Sequence, residues 1–142
     1  MIYSNSDGGA RGNPGPGAIG VVIRKDGKIL MRYSGYIGSR VTNNVSEYEA
    51  LNKALELALK FGKEVTFILD SELVVKQMLG EYKVKNPTLL KLFQKAQKLQ
   101  DKFDKVKYLH ASRWDKFQKM ADELVNEELN KRGFRKYKYK RR

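Results

Sequence analysis

The sequence predicts an α/β protein with a five-stranded mixed sheet, three antiparallel strands followed by parallel strands, flanked by helices. Strand-like segments open the chain at residues 2–7, 17–24 and 28–36. Asp26-Gly27 is a strong hairpin signal between the second and third segments, so these three strands form an antiparallel meander. Helical and strand patterns then alternate, which is typical of parallel strands covered by helices.

The first helix and the fourth strand are indicated by caps and by an apolar run. Ser46 and Glu49 have capping-box spacing and Gly62 can end a helix, which predicts a helix over about 47–61. Residues 65–70, VTFILD, have the length and composition of a buried strand. A helix between strands three and four lets strand four return parallel beside strand one, by a right-handed crossover.

Three helices and a strand complete the expected order. Ser71 begins a short helix that ends at Gly80, and Asn86-Pro87 begins a longer amphipathic helix. Residues 106–110 are the last strand and 115–131 the last helix. The side chains of the last helix that we expect inside are Phe117, Met120, Ala121, Leu124 and Val125. Trp114 is expected to cap the core rather than to touch a substrate.

Length and composition indicate one globular domain. The chain has 142 residues and no cysteine, which excludes disulfides, thiolate zinc sites and a cysteine nucleophile. The sequence has no apolar run near the ~20 residues that cross a bilayer, and no N-terminal leader. We therefore expect a cytoplasmic protein without a membrane partner.

Positive charge is concentrated at the C-terminus. Lys and Arg number 29 against 16 Asp and Glu, for a net charge of +13, and the final KRGFRKYKYKRR holds eight of the positive residues. We expect a domain over residues 1–130 and a basic tail over 131–142. Nucleic acid is the polyanion that best fits such a tail, and a merely solubilising terminus is the alternative.

Four carboxylates are expected to converge. Asp7 closes strand one and Asp70 closes strand four, so both emerge at one edge if those strands are parallel neighbours. Glu47 lies on the inward stripe of the first helix, and Asp122 lies on the apolar side of the last helix. Each acid alone could instead form a turn, a cap or a lysine pair. Burial of a carboxylate without a cation costs several kcal/mol. One shared site that binds a cation therefore explains the four acids better than four separate structural roles.

The four acids predict a site for hard metal ions. Oxygen donors, without cysteine and with a single histidine, suit Mg²⁺ or Mn²⁺ and not zinc. Two such ions about 4 Å apart would neutralise the acids, activate a water and stabilise a leaving oxygen in phosphoryl displacement. Nucleotide-binding loops are excluded, because the GxGxxG match at residues 15–20 precedes a strand and no glycine run continues as GKS or GKT. A basic protein with an acidic metal site is the combination expected of a nuclease.

Four blocks of sequence closely resemble ribonuclease H type I. They are, in order, DGGARGNPGPGAIGVVI, TNNVSEYEALNKAL, LDSELVVKQMLGEYKVKN and ADELVNEEL, and the resemblance covers about residues 1–130. It implies the ribonuclease H-like fold and endonucleolytic hydrolysis of the RNA strand of RNA–DNA hybrids. It also implies two divalent ions per site, Mg²⁺ or Mn²⁺, and products with 5′-phosphate and 3′-hydroxyl ends.

The resemblance also implies roles for single residues. The matching catalytic residues are the metal-binding acids Asp7, Glu47, Asp70 and Asp122, with His110 as an auxiliary histidine. The matching substrate-binding residues are Gly8, Gly9, Gly12, Asn13, Arg40, Thr42, Asn43, Asn44 and Ser71. Asn43 and Asn44 match the pair that reads the hybrid in the minor groove, and Arg40 matches a pocket for a DNA phosphate. The glycines allow backbone to approach a sugar, and amides can bond its 2′-hydroxyl.

The chain departs from the family pattern in three places. The residues before Asp7, YSNS, are polar where the family usually has apolar ones. The segment between His110 and Asp122 is slightly longer than usual and has Gln118 in place of a common asparagine. No basic handle precedes the third helix, and we expect the tail to replace part of it. Deletion of residues 133–142 should then weaken hybrid binding and flatten its salt dependence.

An RNA–DNA hybrid is the expected partner, with double-stranded RNA as a second candidate and a monomer as the expected state. Two alternatives stay open. One is a non-cleaving binder of hybrids or double-stranded RNA on the same fold, which would lack one of the acids. The other is a different nuclease of the same superfamily, which would lack the Asn43-Asn44 pair and the GNPG loop.

Overall fold

A computed structural model describes residues 1–134 of the chain. Its strands are β1 (Ile2–Ala10), β2 (Gly15–Lys25), β3 (Lys28–Val41), β4 (Glu64–Leu69) and β5 (Lys105–His110). Its helices are α1 (Asn43–Ala58), α2 (Glu72–Met78), α3 (Pro87–Gln100) and α4 (Lys116–Lys131). This is the expected order of elements, and no helix within this range is long and apolar enough to span a bilayer. Most of the predicted tail, residues 135–142, lies outside the described residues.

The strands form one mixed sheet in the order β3-β2-β1-β4-β5. β2 pairs antiparallel with both β1 and β3, whereas β4 lies parallel to both β1 and β5. Ser6 is level with Leu69, so Asp7 and Asp70, the residues that follow them, lie at the same edge of the sheet. The predicted meander and the predicted parallel return of strand four are both confirmed.

Helices cover both faces of the sheet, and two glycines show which helix covers which face. A Cβ at Gly8 would lie 2.1 Å from the carbonyl oxygen of Ser46 in α1, and a Cβ at Gly20 would lie 2.3 Å from that of Ala121 in α4. The main core lies on the α1 face, where α2 and α3 also pack, and α4 covers a smaller cluster on the other face. Asp7 is paired with Gly20, so its side chain lies on the α4 face.

Two of the predicted helix caps are observed and one is not. α2 and α3 begin after Ser71 and Asn86, whose side chains accept hydrogen bonds from backbone N–H groups in the first turn. The prediction that Ser46 caps α1 is wrong, because Thr42 is the N-cap and its hydroxyl accepts from the backbone N–H of Val45. Ser46 is buried in the second turn and donates to a carbonyl of the turn before it. α1 therefore begins about one turn earlier than predicted.

Two residues that the sequence places inside are exposed. Trp114 is 76% exposed in the loop between β5 and α4, so the prediction that it caps the core is wrong. Asp122 is also exposed, so its predicted burial is wrong. The reason is that α4 packs on the sheet through Ala121, Val125 and Leu129, and Asp122 lies at the flank of that stripe. The other predicted inward residues of α4 are half-buried: Phe117, Met120 and Leu124.

Candidate active site

One cleft at the edge of the sheet is lined by all four predicted acids. Asp7 in β1 is buried, with 6% exposure, and Glu47 in α1 is half-buried. Asp70, directly after β4, and Asp122, in α4, are exposed. The cleft is also lined by Gly8, Gly9, Ala10, Arg11, Asn43, Val125, Asn126 and Leu129. Two strands of the sheet and one helix from each face therefore bring their carboxylates to a single place.

Glu47 points at the sheet, as the sequence predicts. Its Oε1 accepts a hydrogen bond of 2.9 Å from the backbone N–H of Gly8. Only glycine fits at residue 8, because the carbonyl oxygen of Ser46 occupies the space that a Cβ would need. Gly8 therefore has a role in packing: it lets α1 lie against β1 and fixes the direction of the Glu47 carboxylate.

The surroundings of Asp7 and Glu47 disfavour their charged forms. Burial, together with the charges of Glu47, Asp122 and Asp70, raises the pKa of Asp7 to about 9. Burial raises the pKa of Glu47 to about 8, although the hydrogen bond from Gly8 opposes this shift. Within residues 1–134, no lysine or arginine forms a salt bridge with any of the four acids. A bound cation would relieve this concentration of negative charge.

The donor set fits hard divalent cations. Carboxylate oxygens are the ligands that Mg²⁺ and Mn²⁺ prefer, and Asp7, Glu47, Asp70 and Asp122 are the residues that would hold such ions. In the described part of the chain, no three acidic or histidine side chains are close enough together to form a complete metal site. Because Asp70 is exposed at the open side of the cleft, its side chain has room to turn toward Asp7 and Glu47.

The pH dependence of stability tests this electrostatic description. Without metal, the folded chain holds the Asp7 proton up to about pH 9, while the unfolded chain releases it near 3.8. The folded state then binds more protons, so the free energy of unfolding falls as pH rises between these values, by up to about 1.4 kcal/mol per pH unit. Urea denaturation in EDTA from pH 5 to 9 measures this slope. Asp7→Asn should flatten it and Mg²⁺ should reduce it, whereas parallel curves for the two proteins would contradict the assignment.

Arg11 and Asn126 line the cleft although sequence patterns do not single them out. An Arg11 guanidinium nitrogen donates to Asn126 Oδ1 at 2.8 Å, and Asn126 Nδ2 donates to Asp122 Oδ2 at 3.3 Å. These two bonds support the Asp122 carboxylate from its own helix and from the end of β1. Two signals could have found the pair, since Asn126 lies one helical turn after Asp122 and Arg11 lies within the glycine-rich block.

The polar residues of β1 join that strand to α4. Asn5 is buried, and its Nδ2 donates to Gln118 Oε1 at 3.1 Å and to Asp115 Oδ2 at 3.2 Å. Gln118 Nε2 in turn donates to the carbonyl oxygen of Ser6 at 2.8 Å. The buried amides satisfy one another and hold α4 against β1 one turn before Asp122. Two departures from the family pattern, the polar strand and the glutamine at 118, therefore compensate each other.

A second cleft contains the residues that match the phosphate pocket and the asparagine pair. Its lining includes Asn13, Arg40, Thr42, Asn43 and Asn44. Asn13 Oδ1 accepts a hydrogen bond from the backbone N–H of Asn43 at 2.9 Å, and Asn43 Oδ1 accepts from the backbone N–H of Ala10 at 3.1 Å. Asn43 lines both clefts, so the two adjoin at the start of α1.

Three of the predicted site residues line neither cleft. Ser71 is the N-cap of α2, and its hydroxyl accepts from the backbone N–H of Val74 at 3.2 Å. Gly12 has φ +101° in the turn between β1 and β2, a conformation that favours glycine. His110 ends β5, and its Nε2 lies 2.9 Å from the backbone carbonyl oxygen of Asp70. The histidine thus lies next to the acids without lining their cleft.

Comparisons with known proteins agree with this fold. The family described as "Reverse transcriptase-like" matches residues 5–128. Ribonuclease HI of Halobacterium salinarum is 39% identical over 131 residues, which are 91% of this chain and 64% of that protein. The chain belongs to the ribonuclease H type I family. Its mixed sheet, with α1 to α3 on one face and α4 on the other, is the ribonuclease H-like fold that the sequence predicts.

Relatives of the family differ in how much of their length this chain spans. LC11-RNase H1, solved in complex with an RNA/DNA hybrid, is 45% identical with a TM-score of 0.85, over 93% of this chain and 99% of that one. The bifunctional protein Rv2228c of Mycobacterium tuberculosis is 41% identical over 91% of this chain but only 35% of its own length. The chain therefore spans about a third of that relative, and just under two thirds of the Halobacterium protein.

Proposed function

We propose that the chain is an endonuclease that hydrolyses the RNA strand of RNA–DNA hybrids and leaves 5′-phosphate and 3′-hydroxyl ends. The observation that carries this proposal is the convergence of Asp7, Glu47, Asp70 and Asp122 in one open cleft without a salt-bridge partner in the described residues. A relative of 45% identity, LC11-RNase H1, is described in complex with an RNA/DNA hybrid, which supports the choice of substrate.

The residues of the cleft have separate parts in the proposed reaction. Two divalent ions, Mg²⁺ or Mn²⁺, would neutralise the acids, activate the attacking water and stabilise the departing 3′-oxygen. Glu47 is held in place by the Gly8 N–H, and Asp122 is held by Asn126, so both carboxylates are oriented before a substrate arrives. Asp70 is exposed at the open side of the cleft, where a phosphodiester can enter.

The adjoining cleft supplies the proposed contacts to the two strands. Asn43 Oδ1 is occupied by the Ala10 N–H, which leaves the Asn43 Nδ2 donors for a substrate acceptor such as a 2′-hydroxyl. Asn44 is exposed beside it at the start of α1. Arg40, also exposed, offers a guanidinium fork to a phosphate of the DNA strand. A contact from Asn43 to a 2′-hydroxyl would favour a hybrid over a DNA duplex, which has no 2′-hydroxyl.

A panel of labelled duplexes tests the function. Hybrid, double-stranded RNA and double-stranded DNA are incubated with Mg²⁺, with Mn²⁺ or with EDTA. We expect metal-dependent cleavage of the RNA strand of the hybrid, with 5′-phosphate ends on the products. Binding of the hybrid without cleavage would favour a non-cleaving module, and cleavage of the DNA duplex would favour another nuclease of the superfamily. The same panel shows whether double-stranded RNA, the second candidate, is cut.

The basic tail gives a prediction about affinity. Residues 135–142 lie outside the described residues and hold six of the Lys and Arg residues. The truncated chain should keep Phe134, because its ring stacks on Tyr36 and its carbonyl accepts a hydrogen bond from Arg11. We expect deletion of 135–142 to weaken hybrid binding and to lower the salt slope of log Kd by about one for each phosphate that the tail neutralises.

A shuffled tail of the same composition is the matched control and should keep the affinity, because counterion release depends on charge rather than on order. Anisotropy titrations with a labelled hybrid at several salt concentrations measure the effect. Unchanged binding of the truncated chain at every salt concentration would contradict the role of the tail.

A further inference from the structure

The loop between β5 and α4 exposes an aromatic ring surrounded by positive charge. Trp114 is 76% exposed, more than any other large apolar side chain within residues 1–134. The Arg113 guanidinium lies 5.6 Å from the centre of its ring, and the Lys119 amino group lies 5.9 Å from it. Lys116 is exposed in the first turn of α4. Arg113, Trp114, Lys116 and Lys119 are called the Trp114 patch below.

Residues 113–119 carry three cations and one carboxylate, which gives this segment a net charge of +2. None of its three cations forms a salt bridge within the described part of the chain. The one acid of this loop, Asp115, has both oxygens in use: Oδ1 accepts from two backbone N–H groups of α4, and Oδ2 accepts from Asn5. The loop and the start of α4 together present three cations and a flat ring. This chemistry fits a phosphate backbone together with an exposed base.

The loop is attached next to the acids at both of its ends. At one end, the backbone N–H of Ala111 donates to the carbonyl oxygen of Leu69 at 2.8 Å, directly before Asp70. At the other end, Asp115 is bonded to Asn5, two residues before Asp7. Both ends of the loop that carries Trp114 are therefore anchored within two residues of an acid of the cleft, Asp70 at one end and Asp7 at the other.

We propose that the Trp114 patch binds an unpaired nucleotide segment that adjoins the duplex in the acid-lined cleft. Bases inside a duplex have both faces covered by their neighbours, so a protruding indole can stack only on an unpaired or terminal base. Arg113 and Lys119 lie over the ring in the absence of a ligand, and their long side chains can turn to the phosphates of that segment when a base takes the ring face. The identity of the duplex rests on the proposed function. The inference extends that function to hybrids that carry a single-stranded overhang.

The fluorescence of Trp114 tests the proposal directly, since it is the single tryptophan of the chain. The full chain carrying Asp70→Asn, which we expect to prevent cleavage, is titrated with a blunt hybrid or with the same hybrid carrying an RNA or DNA overhang. We expect the overhang to quench the fluorescence and to bind about tenfold more tightly than the blunt hybrid, since it adds one stacked base. Equal affinity for blunt and overhang hybrids would overturn the proposal.

Substitutions of the ring separate stacking from other effects. Trp114→Leu, which keeps an apolar side chain without a flat ring, should remove the preference for the overhang in anisotropy titrations. Trp114→Phe should retain most of it. In the chain that retains Asp70, Trp114→Leu should leave kcat and KM for cleavage of the blunt hybrid unchanged. If Trp114→Leu weakens binding of blunt and overhang hybrids equally, the ring contacts the duplex and the proposal is wrong.

Matched charge variants complete the test. Lys119→Gln should lower the affinity for the overhang, whereas Lys105→Gln, which removes an exposed lysine at the opposite end of β5, should not. An equal decrease of affinity for the overhang hybrid in both variants would mean that the lysines act only through the general positive charge of the chain, and would overturn the proposal. If the unsubstituted chain cleaves no hybrid while quenching and overhang preference persist, the proposed nuclease function fails and the binding surface stands.

Discussion

Asp7→Asn is expected to abolish cleavage of the RNA–DNA hybrid while the chain stays folded. Asp7 is the most buried of the four acids, and the other three all act on its charge. Loss of its carboxylate removes one of the four groups that would hold the proposed ions, which costs about 4 kcal/mol of transition-state stabilisation, or about 10³-fold in rate. The substitution also removes the cost of protonating a buried carboxyl group on folding, because asparagine is neutral in both states. In EDTA at pH 8, the variant should therefore unfold at a higher temperature than the unsubstituted chain.

Two further substitutions make this prediction specific. Asp70→Asn should abolish cleavage as well, since Asp70 lies at the open side of the same cleft. Asp26→Asn is the matched control, because Asp26 is exposed in the β2–β3 hairpin at φ 53°, a conformation that asparagine also adopts. Initial rates on labelled hybrid and thermal unfolding curves give both readouts. Turnover retained in both Asp7→Asn and Asp70→Asn would refute the assignment of the active site.

Gly20→Ala is expected to destabilise the fold and to reduce cleavage together. The added Cβ would lie 2.3 Å from the carbonyl oxygen of Ala121 and 2.9 Å from the Cβ of Leu124. Backbone atoms cannot turn aside as a flexible side chain can, so α4 must move away from β2. We expect a decrease of about 3 kcal/mol in the free energy of unfolding. Because Asp122 follows Ala121, the same movement should displace its carboxylate from the cleft.

Gly27→Ala and Gly9→Ala are the controls for this substitution. A Cβ at Gly27 would have no heavy atom within 4 Å, and one at Gly9 would make an ordinary contact of 3.5 Å with Val125. Both should keep the stability of the fold in urea denaturation. Gly9 lines the acid-lined cleft, so a selective decrease of hybrid affinity in Gly9→Ala would support close approach of the substrate to the backbone. Unchanged stability of Gly20→Ala would contradict the packing of α4 on β2.

The gathering of the acids can be predicted because it depends on strand order more than on detailed packing. Asp7 and Asp70 directly follow Ser6 and Leu69, the last pair of the parallel strands β1 and β4, so both acids lie where that pairing ends. The prediction that Asp7 closes strand one is wrong, because β1 continues to Ala10 beside β2. Helical periodicity alone places Glu47 toward the sheet, and its bond to the Gly8 N–H confirms this. The burial predicted for Asp122 is wrong, because periodicity indicates which stripe of a helix is apolar but not where the covering sheet ends.

Local signals determined the order of the nine described elements, the hairpin at Asp26-Gly27, and the caps of α2 and α3. These features depend on residues within a few positions of one another, so the sequence by itself suffices for them. The tertiary structure alone decided two others, the exposure of Trp114 and the pairing of Asn5 with Gln118. The N-cap of α1 is also a local contact, between Thr42 and Val45, but Ser46 offers a competing capping pattern in the same segment. Asn5 and Gln118 are 113 positions apart, and only the packing of α4 on β1 brings their amides together. The buried amide of Asn5 is satisfied because its partners come from both β2 and α4, at Arg24 and Gln118.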